Sequence, residues 1–129
     1  MDNTPIILRL FGFKNLNEAT SHWVNQRLSS LLLIPLTVLF VMPFSKDFGL
    51  DYESAISIYK SPFRALIAFL FLVVCFVHFK QGAEEVIEDY IHSKLFKKIS
   101  LSLNVLFCRI IIICITIALS KIVIENNWG

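Results

Sequence analysis

The chain has 129 residues, of which 56% are hydrophobic and 17% are charged, and its mean hydropathy is +0.68. A soluble domain of this size must expose a large share of its surface to water, so this composition excludes an ordinary soluble enzyme and favours a membrane protein. The formal net charge is only +2. This excludes a typical nucleic-acid-binding protein, which would carry a pronounced basic patch.

Three apolar segments are long enough to cross a bilayer as helices, for which roughly 20 mainly apolar residues are needed. They cover residues 23–44, 62–86 and 99–124 approximately. The sequence therefore predicts an all-α, polytopic membrane protein with three transmembrane helices, which form a single membrane-anchor domain over residues 1–129.

Local signals predict where these helices begin, bend and end. Pro35 lies inside the first apolar run and should kink that helix without preventing the span. Pro43 and the polar residues Ser45, Lys46 and Asp47 are expected to close it. Ser61 followed by Pro62 is typical of an N-cap and a first helical position. A short surface helix is expected between the first two spans, at residues 52–59.

The distribution of lysine and arginine predicts the orientation. The segments before the first span and after the second carry Arg9, Lys14, Arg27, Lys80, Lys94, Lys97 and Lys98. The opposite side carries Lys46, Lys60, Arg64 and Lys121. Basic residues concentrate on the cytoplasmic side, so the N-terminus and the second loop are expected in the cytoplasm or its topological equivalent.

His78 lies near the inner end of the second span, where a polar side chain needs a partner or a function. Gly82 follows one turn later, and Glu85 and Asp89 continue the same helical stripe. A histidine with a glycine at i+4 can ligate a metal while a flat macrocycle lies against the bare backbone, as an axial haem ligand does. The alternative is that His78 hydrogen-bonds a neighbouring helix and Gly82 permits close helix packing.

Acidic residues and a tyrosine gather where the second helix leaves the membrane, at Glu88, Asp89 and Tyr90. A phenol beside a carboxylate can donate a hydrogen bond to a quinone oxygen and help to supply its protons. The alternative is a solvated helix end in which Tyr90 is an interfacial anchor.

Three further polar residues need an explanation. His22 and Arg27 lie at the inner mouth of the first span, on the same side as His78, and Arg27 can pair with an anion such as a haem propionate or a lipid phosphate. Arg109 lies within the third span, where snorkelling to the interface and pairing with a partner subunit are both open.

These elements, in this order, resemble the hydrophobic membrane-anchor subunit of succinate dehydrogenase, which is respiratory complex II. The matching motifs are His22-Trp23-x-x-Gln26-Arg27-x-Ser29 before the first span, then His78-x-x-x-Gly82 and Val86-Ile87-Glu88-Asp89-Tyr90 at the end of the second. The H-x-x-x-G pattern with D-Y seven residues after the glycine is the specific part of the resemblance.

The resemblance implies cofactors and site residues. His78 would supply one axial ligand to a haem b, in a helical bundle shared with a second cytochrome b membrane subunit that supplies the other histidine. Tyr90 with Asp89 would lie at the ubiquinone-reduction site formed with the iron–sulfur subunit. Arg27 would lie near the haem propionates, and His22 and Gly82 would complete the cofactor-binding set.

The chain carries no G-x-G-x-x-G motif for a flavin and no cysteine cluster for iron–sulfur centres. Nothing in it would oxidise succinate, so it is expected to be non-catalytic by itself. The resemblance implies a flavoprotein subunit, an iron–sulfur subunit, the second membrane subunit and membrane lipid as partners. It also implies a location in the bacterial cell inner membrane or the mitochondrial inner membrane.

Two alternatives stay open. One is the anchor of a quinol:fumarate reductase, and the other is a small membrane accessory protein without a redox role.

One departure from the family pattern bears on the second span. Lys80, Glu84 and Glu85 make the helix after His78 more charged than the family pattern leads one to expect, which leaves open how far the span extends.

Overall fold

The computed structural model describes residues 18–128, which form four α-helices. In chain order they are α1 (Glu18–Asp47), α2 (Tyr52–Tyr59), α3 (Pro62–Tyr90) and α4 (Lys94–Trp128). Three of them are long and apolar enough to cross a membrane, over Thr20–Asp47, Pro62–Tyr90 and Lys94–Glu125. The predicted all-α fold with three transmembrane helices is confirmed.

The long helices extend beyond the apolar runs that predicted them. α1 continues through Pro43, which therefore does not close it, and ends at Asp47, the last of the polar residues that were also expected to close it. α4 already begins at Lys94. The backbone hydrogen bonds of a helix can continue into the interface, because only its apolar part has to lie in lipid. α3 begins at Pro62 as predicted, although the Ser61 side chain makes no capping hydrogen bond.

The short helix α2 covers Tyr52–Tyr59 as predicted, and none of its residues is buried. Gly49 precedes it with a φ of 93°, a backbone conformation that glycine adopts without steric cost. Asp51 caps the helix, because its Oδ2 accepts a hydrogen bond from the Ser54 backbone nitrogen at 3.4 Å. Hydrogen bonding to Ser54 holds the pKa of the Asp51 carboxyl below its ordinary value.

α3 is the central helix of the bundle and contacts α1 on one side and α4 on the other. Successive long helices run in opposite directions. At one end, Arg64 Nη1 of α3 donates to Asp47 Oδ2 of α1 at 2.7 Å. At the other end, Lys97 Nζ of α4 donates to the Glu88 carbonyl of α3 at 2.9 Å. The start of α1, the end of α3 and the start of α4 therefore lie together at one end.

The interior of the bundle is made of small and polar side chains. Among the described residues, the buried side chains are those of Ala65, Ala68, Cys108, Ser21, Ser29 and Asn104. Lipid tails are as apolar as leucine, so helices in a membrane associate through close packing and hydrogen bonds rather than through a hydrophobic effect. The large apolar side chains point outward, toward lipid or partner chains.

Asn104 provides a hydrogen bond between α3 and α4 in the interior of the bundle. Its Nδ2 donates to the Lys80 carbonyl at 2.9 Å, and Cys108 Sγ lies 3.9 Å from its Oδ1. The Asn104 side chain is buried from solvent. It therefore fixes the depth and rotation at which α4 lies on α3.

We expect Asn104→Ala to destabilise the folded protein by about 1 kcal/mol, which is typical of an interhelical hydrogen bond in a membrane. Ser120→Ala, on the exposed surface of the same helix, is the control and should leave the stability unchanged. Thermal unfolding of the purified membrane complex measures both. Equal losses for the two variants would show that the Asn104 bond does not hold α4 in place.

Candidate functional site

The start of α1 and the second half of α3 lie side by side and carry polar side chains that contact one another. We call this region, residues 22–30 and 78–90, the polar end of the bundle. All six residues predicted to belong to a site lie in this region, but only His78 and Arg27 line the same cleft. The six are His22, Arg27, His78, Gly82, Asp89 and Tyr90.

His78 is held by Ser29, a buried residue of α1. His78 Nδ1 lies 2.9 Å from Ser29 Oγ, which also lies 2.8 Å from the Gln26 carbonyl and 3.1 Å from the Gln81 side-chain amide. A serine hydroxyl has one proton, and a carbonyl oxygen can only accept a hydrogen bond. The Ser29 hydroxyl therefore donates its proton to the Gln26 carbonyl, which is its shortest contact. Ser29 Oγ then accepts a hydrogen bond from His78 Nδ1–H. The hydroxyl cannot donate to Gln81 Oε1 at the same time, so the 3.1 Å approach of that oxygen is the weaker contact.

This network favours the tautomer of His78 that carries its proton on Nδ1. In that tautomer the lone pair lies on Nε2. Among the described residues, no hydrogen bond reaches Nε2. Metal-ligating histidines are held in this way, with one ring N–H donated to a protein oxygen and the other nitrogen on the metal.

His78 opens onto a cleft between α1 and α3 with a volume of about 380 Å³. The cleft is lined by Trp23, Gln26, Arg27, Ser30, His78 and Glu85. We call it the polar cleft. The Arg27 guanidinium lies over the Trp23 ring, 5.3 Å from its centroid, and has no carboxylate partner among the described residues. The cleft therefore combines an imidazole with a cation that has no acid partner among the described residues.

Gly82 leaves the backbone of α3 bare one turn beyond His78. A Cβ atom built at Gly82 would meet no other atom within 4 Å, apart from the backbone of its own helix turn. No described helix of this chain packs against Gly82, so close packing within the chain does not explain the glycine. The open face is suited to a flat group that approaches the helix from outside.

The charges that follow His78 are paired, and α3 therefore continues to Tyr90. Glu84 lies 3.3 Å from Lys80 on its own helix and 3.4 Å from His22 of α1. Glu85 Oε2 accepts a hydrogen bond from the Gln26 side chain of α1 at 3.0 Å. These contacts compensate the charges that left open, in the sequence, how far the second transmembrane helix (α3) extends. They also place His22 on Glu84, beside the polar cleft rather than in it.

Asp89 and Tyr90 lie in the last turn of α3, beyond the polar cleft. Both are exposed, and Tyr90 has 79% of its surface accessible. At a rise of 1.5 Å per residue, Tyr90 lies about 18 Å along the helix from His78. Its phenol and the Asp89 carboxylate are therefore available to a molecule or chain that docks on the polar end, and they do not share the cleft with His78.

Sequence reasoning assigned no role to Ser29, Gln81 or Glu84. Ser29 stands inside the H-W-x-x-Q-R-x-S stretch, and its position in an apolar run was the available signal. Its partner His78 is 49 residues away, and only the register between α1 and α3 brings them together.

We expect Ser29→Ala to destabilise the protein by about 1 kcal/mol, because the His78 Nδ1–H loses its acceptor in a partly buried place. Ser30→Ala is a matched control. Ser30 is the next residue and its hydroxyl makes the same local bond, to the Arg27 carbonyl at 2.8 Å, but does not contact His78. Thermal unfolding of the purified complex should separate the two variants. Equal stabilities would argue against the Ser29–His78 bond.

Comparisons with known proteins agree with this fold. The chain matches the family described as Succinate dehydrogenase/Fumarate reductase transmembrane subunit over residues 2–119. The succinate dehydrogenase hydrophobic membrane anchor subunit of Paracoccus denitrificans is 31% identical over 110 residues, which cover 85% of this chain and 84% of that protein. No solved structure matches the chain significantly.

The resemblance found in the sequence is thereby confirmed, and with it a multi-pass membrane protein of the anchor type. The family covers nearly the whole chain, so it accounts for all three transmembrane helices. The chain belongs to the succinate dehydrogenase/fumarate reductase transmembrane subunit family.

Proposed function

We propose that this chain anchors a succinate dehydrogenase in its membrane, shares a haem b with a second cytochrome b membrane subunit, and contributes to the ubiquinone-reduction site. The observation that carries this proposal is the geometry of His78. Its Nδ1 is tied to Ser29, and its Nε2 is left for a ligand beside the polar cleft and the bare backbone of Gly82.

The residues of the polar cleft, together with Gly82, suit a haem in three ways. His78 Nε2 would bind the haem iron, and Ser29 would hold the ring in the tautomer that leaves this nitrogen free. Gly82 would leave room for the flat face of the macrocycle against α3. Arg27 would offer its guanidinium to a propionate in a charge-assisted hydrogen bond. A haem held there would supply one-electron transfer.

The cleft opens at the surface of the α1–α3 pair, so a second chain can reach it. That arrangement supports a haem held between two membrane subunits, with the second histidine coming from the partner. The flavoprotein and iron–sulfur subunits would then dock on the polar end, where the last turn of α3 is exposed. The membrane would be the bacterial inner membrane or its mitochondrial equivalent.

Tyr90 and Asp89 support the quinone part of the proposal. The Tyr90 O–H is a donor for a quinone carbonyl oxygen, and the adjacent carboxylate can pass protons as the quinone is reduced. Both side chains are exposed at the end of the bundle where electrons from an iron–sulfur subunit would arrive.

The predicted orientation, with the N-terminus in the cytoplasm, stays a prediction. Two of its basic residues, Arg9 and Lys14, lie outside the described residues.

The family description includes fumarate reductase, so the direction of electron flow depends on the partner subunits. The named relative favours succinate dehydrogenase. Membership of this family excludes the alternative of an unrelated membrane accessory protein.

We expect His78→Ala to lower the b-type signal in reduced-minus-oxidised spectra at least about tenfold, because loss of a ligand should exceed the effect of losing a supporting residue. The chain is co-expressed with its partner subunits, and assembly is checked in the same preparation. His92→Ala, an exposed histidine at the end of α3, is the control and should leave the signal intact. An unchanged spectrum in assembled His78→Ala complex would remove His78 from the haem site.

Gly82→Leu provides a second arm of the same experiment. A side chain at Gly82 meets open space within this chain, so the variant should keep the fold of the anchor while it blocks the face beside His78. We expect the same loss of the b-type signal. A normal signal would show that the haem does not lie on this face of α3.

We expect Tyr90→Phe to slow ubiquinone reduction about 100-fold, because it removes the hydroxyl that donates to the quinone and keeps the ring. Succinate oxidation with an acceptor that takes electrons from the soluble subunits should be unchanged. Tyr52→Phe is a matched control, since Tyr52 is equally exposed, at 79%, on α2. Normal quinone reduction by Tyr90→Phe, or an equal decrease in both variants, would contradict the assignment.

A further inference from the structure

Arg109 lies inside the membrane-spanning part of α4 and is exposed on its surface. No carboxylate contacts its guanidinium among the described residues. An arginine near the centre of a transmembrane helix costs about 2.5–3.5 kcal/mol on insertion scales. The compensating group for this charge has to come from outside the described part of the chain.

The surroundings of Arg109 form a groove on one face of α4. The groove has a volume of about 500 Å³ and is lined by Leu101, Ser102, Val105, Leu106 and Arg109. α4 packs on α3 through Asn104 and Cys108. At 100° per residue, Arg109 is turned about 100° from Cys108, and Ser102 about 160° from Asn104. The groove therefore lies on a side of α4 that does not pack against α3.

The polar residues of this face form a stripe. Ser102 and Arg109 follow Lys98 at offsets of four and eleven residues, which bring all three within about 40° of one direction. All three are exposed. Side chains of a helix lean toward its N-terminus, so the Arg109 guanidinium points along the groove toward Ser102 and Lys98. The positive charge is thus directed toward the membrane interface at the polar end.

We propose that this groove binds an anionic phospholipid of the leaflet on the side of the polar end. Its phosphate would accept hydrogen bonds from Arg109 and Ser102, its headgroup would lie near Lys98, and an acyl chain would lie on Leu101, Val105 and Leu106. Arginine forms strong charge-assisted bonds with phosphate, and basic residues near the surface attract anionic lipids.

Two observations favour a lipid over a carboxylate of a partner subunit. The groove joins the Arg109 guanidinium to an apolar floor of Leu101, Val105 and Leu106, which suits a phosphate that carries an acyl chain better than a lone carboxylate. In addition, residues 94–124 contain no aspartate or glutamate, so the face carries positive charge without an acid from its own helix to neutralise it. This proposal does not depend on the assignment of His78.

The test measures bound lipid on the whole complex. Wild type and Arg109→Gln complexes are extracted with their native lipids and compared by native mass spectrometry, and delipidated samples are placed in nanodiscs of phosphatidylcholine with or without phosphatidylglycerol. We expect Arg109→Gln to lose one tightly bound anionic lipid and to lose most of the thermal stabilisation that phosphatidylglycerol gives the wild type. Arg109→Lys should retain part of both.

The controls distinguish the sources of phosphate and the two proposals. Lys121→Gln removes an exposed charge near the other end of α4 and should bind lipid as the wild type does. Inorganic phosphate should not stabilise the delipidated complex. The b-type spectrum of Arg109→Gln should be normal, whatever the result for His78.

Three results would overturn the proposal. Arg109→Gln could retain the full amount of bound phosphatidylglycerol, or inorganic phosphate could reproduce the stabilisation. Cysteine placed at Val105 could cross-link efficiently to the second membrane subunit, which would make the groove a protein interface. If Arg109→Gln does not assemble, Ser102→Ala and Lys98→Gln test the same site. We expect weaker lipid binding for both variants. Unchanged lipid binding in both would contradict the proposal.

Discussion

Helices in a bilayer gain no hydrophobic free energy by pairing, so hydrogen bonds between them matter for the fold. The hydrogen bond between Ser29 and His78 is such a contact. It joins α1 to α3 at the polar end and sets the rotation of each helix about its axis. It also favours the tautomer with the proton on Nδ1, which leaves the lone pair on Nε2. The same contact therefore joins the helix pair and orients the histidine on which the proposed haem site depends.

The charged residues beyond His78 depend on the helix pairing that this contact sets. Glu84 has Lys80 and His22 as neighbours, and Glu85 accepts a hydrogen bond from Gln26 of α1, so these two acids have partners within the chain. Arg27 lies over the Trp23 ring and has no acid partner among the described residues. Arg109 likewise has no acid partner among the described residues and is exposed on α4.

Several features could be predicted from sequence because they depend on local composition. Apolar runs of sufficient length predicted the three long helices, and the H-x-x-x-G and D-Y spacing on one helix predicted which residues share a stripe. The ends of the helices were less predictable, since α1 runs through Pro43 and α4 starts at Lys94. A helix continues wherever its backbone hydrogen bonds can form, and the apolar run sets only the part that lies in lipid.

By itself, the sequence determined that this protein is an all-α membrane anchor with three spans, and it pointed to His78, Gly82, Asp89 and Tyr90 as the residues that need a function. The tertiary structure decided which of these lie together. It placed His78 against Ser29 and into a cleft with Arg27, set His22 on Glu84, and left Tyr90 apart at the end of α3. Helical periodicity specifies the face of a residue within its own helix, but the register and rotation between helices depend on contacts between residues far apart in the chain.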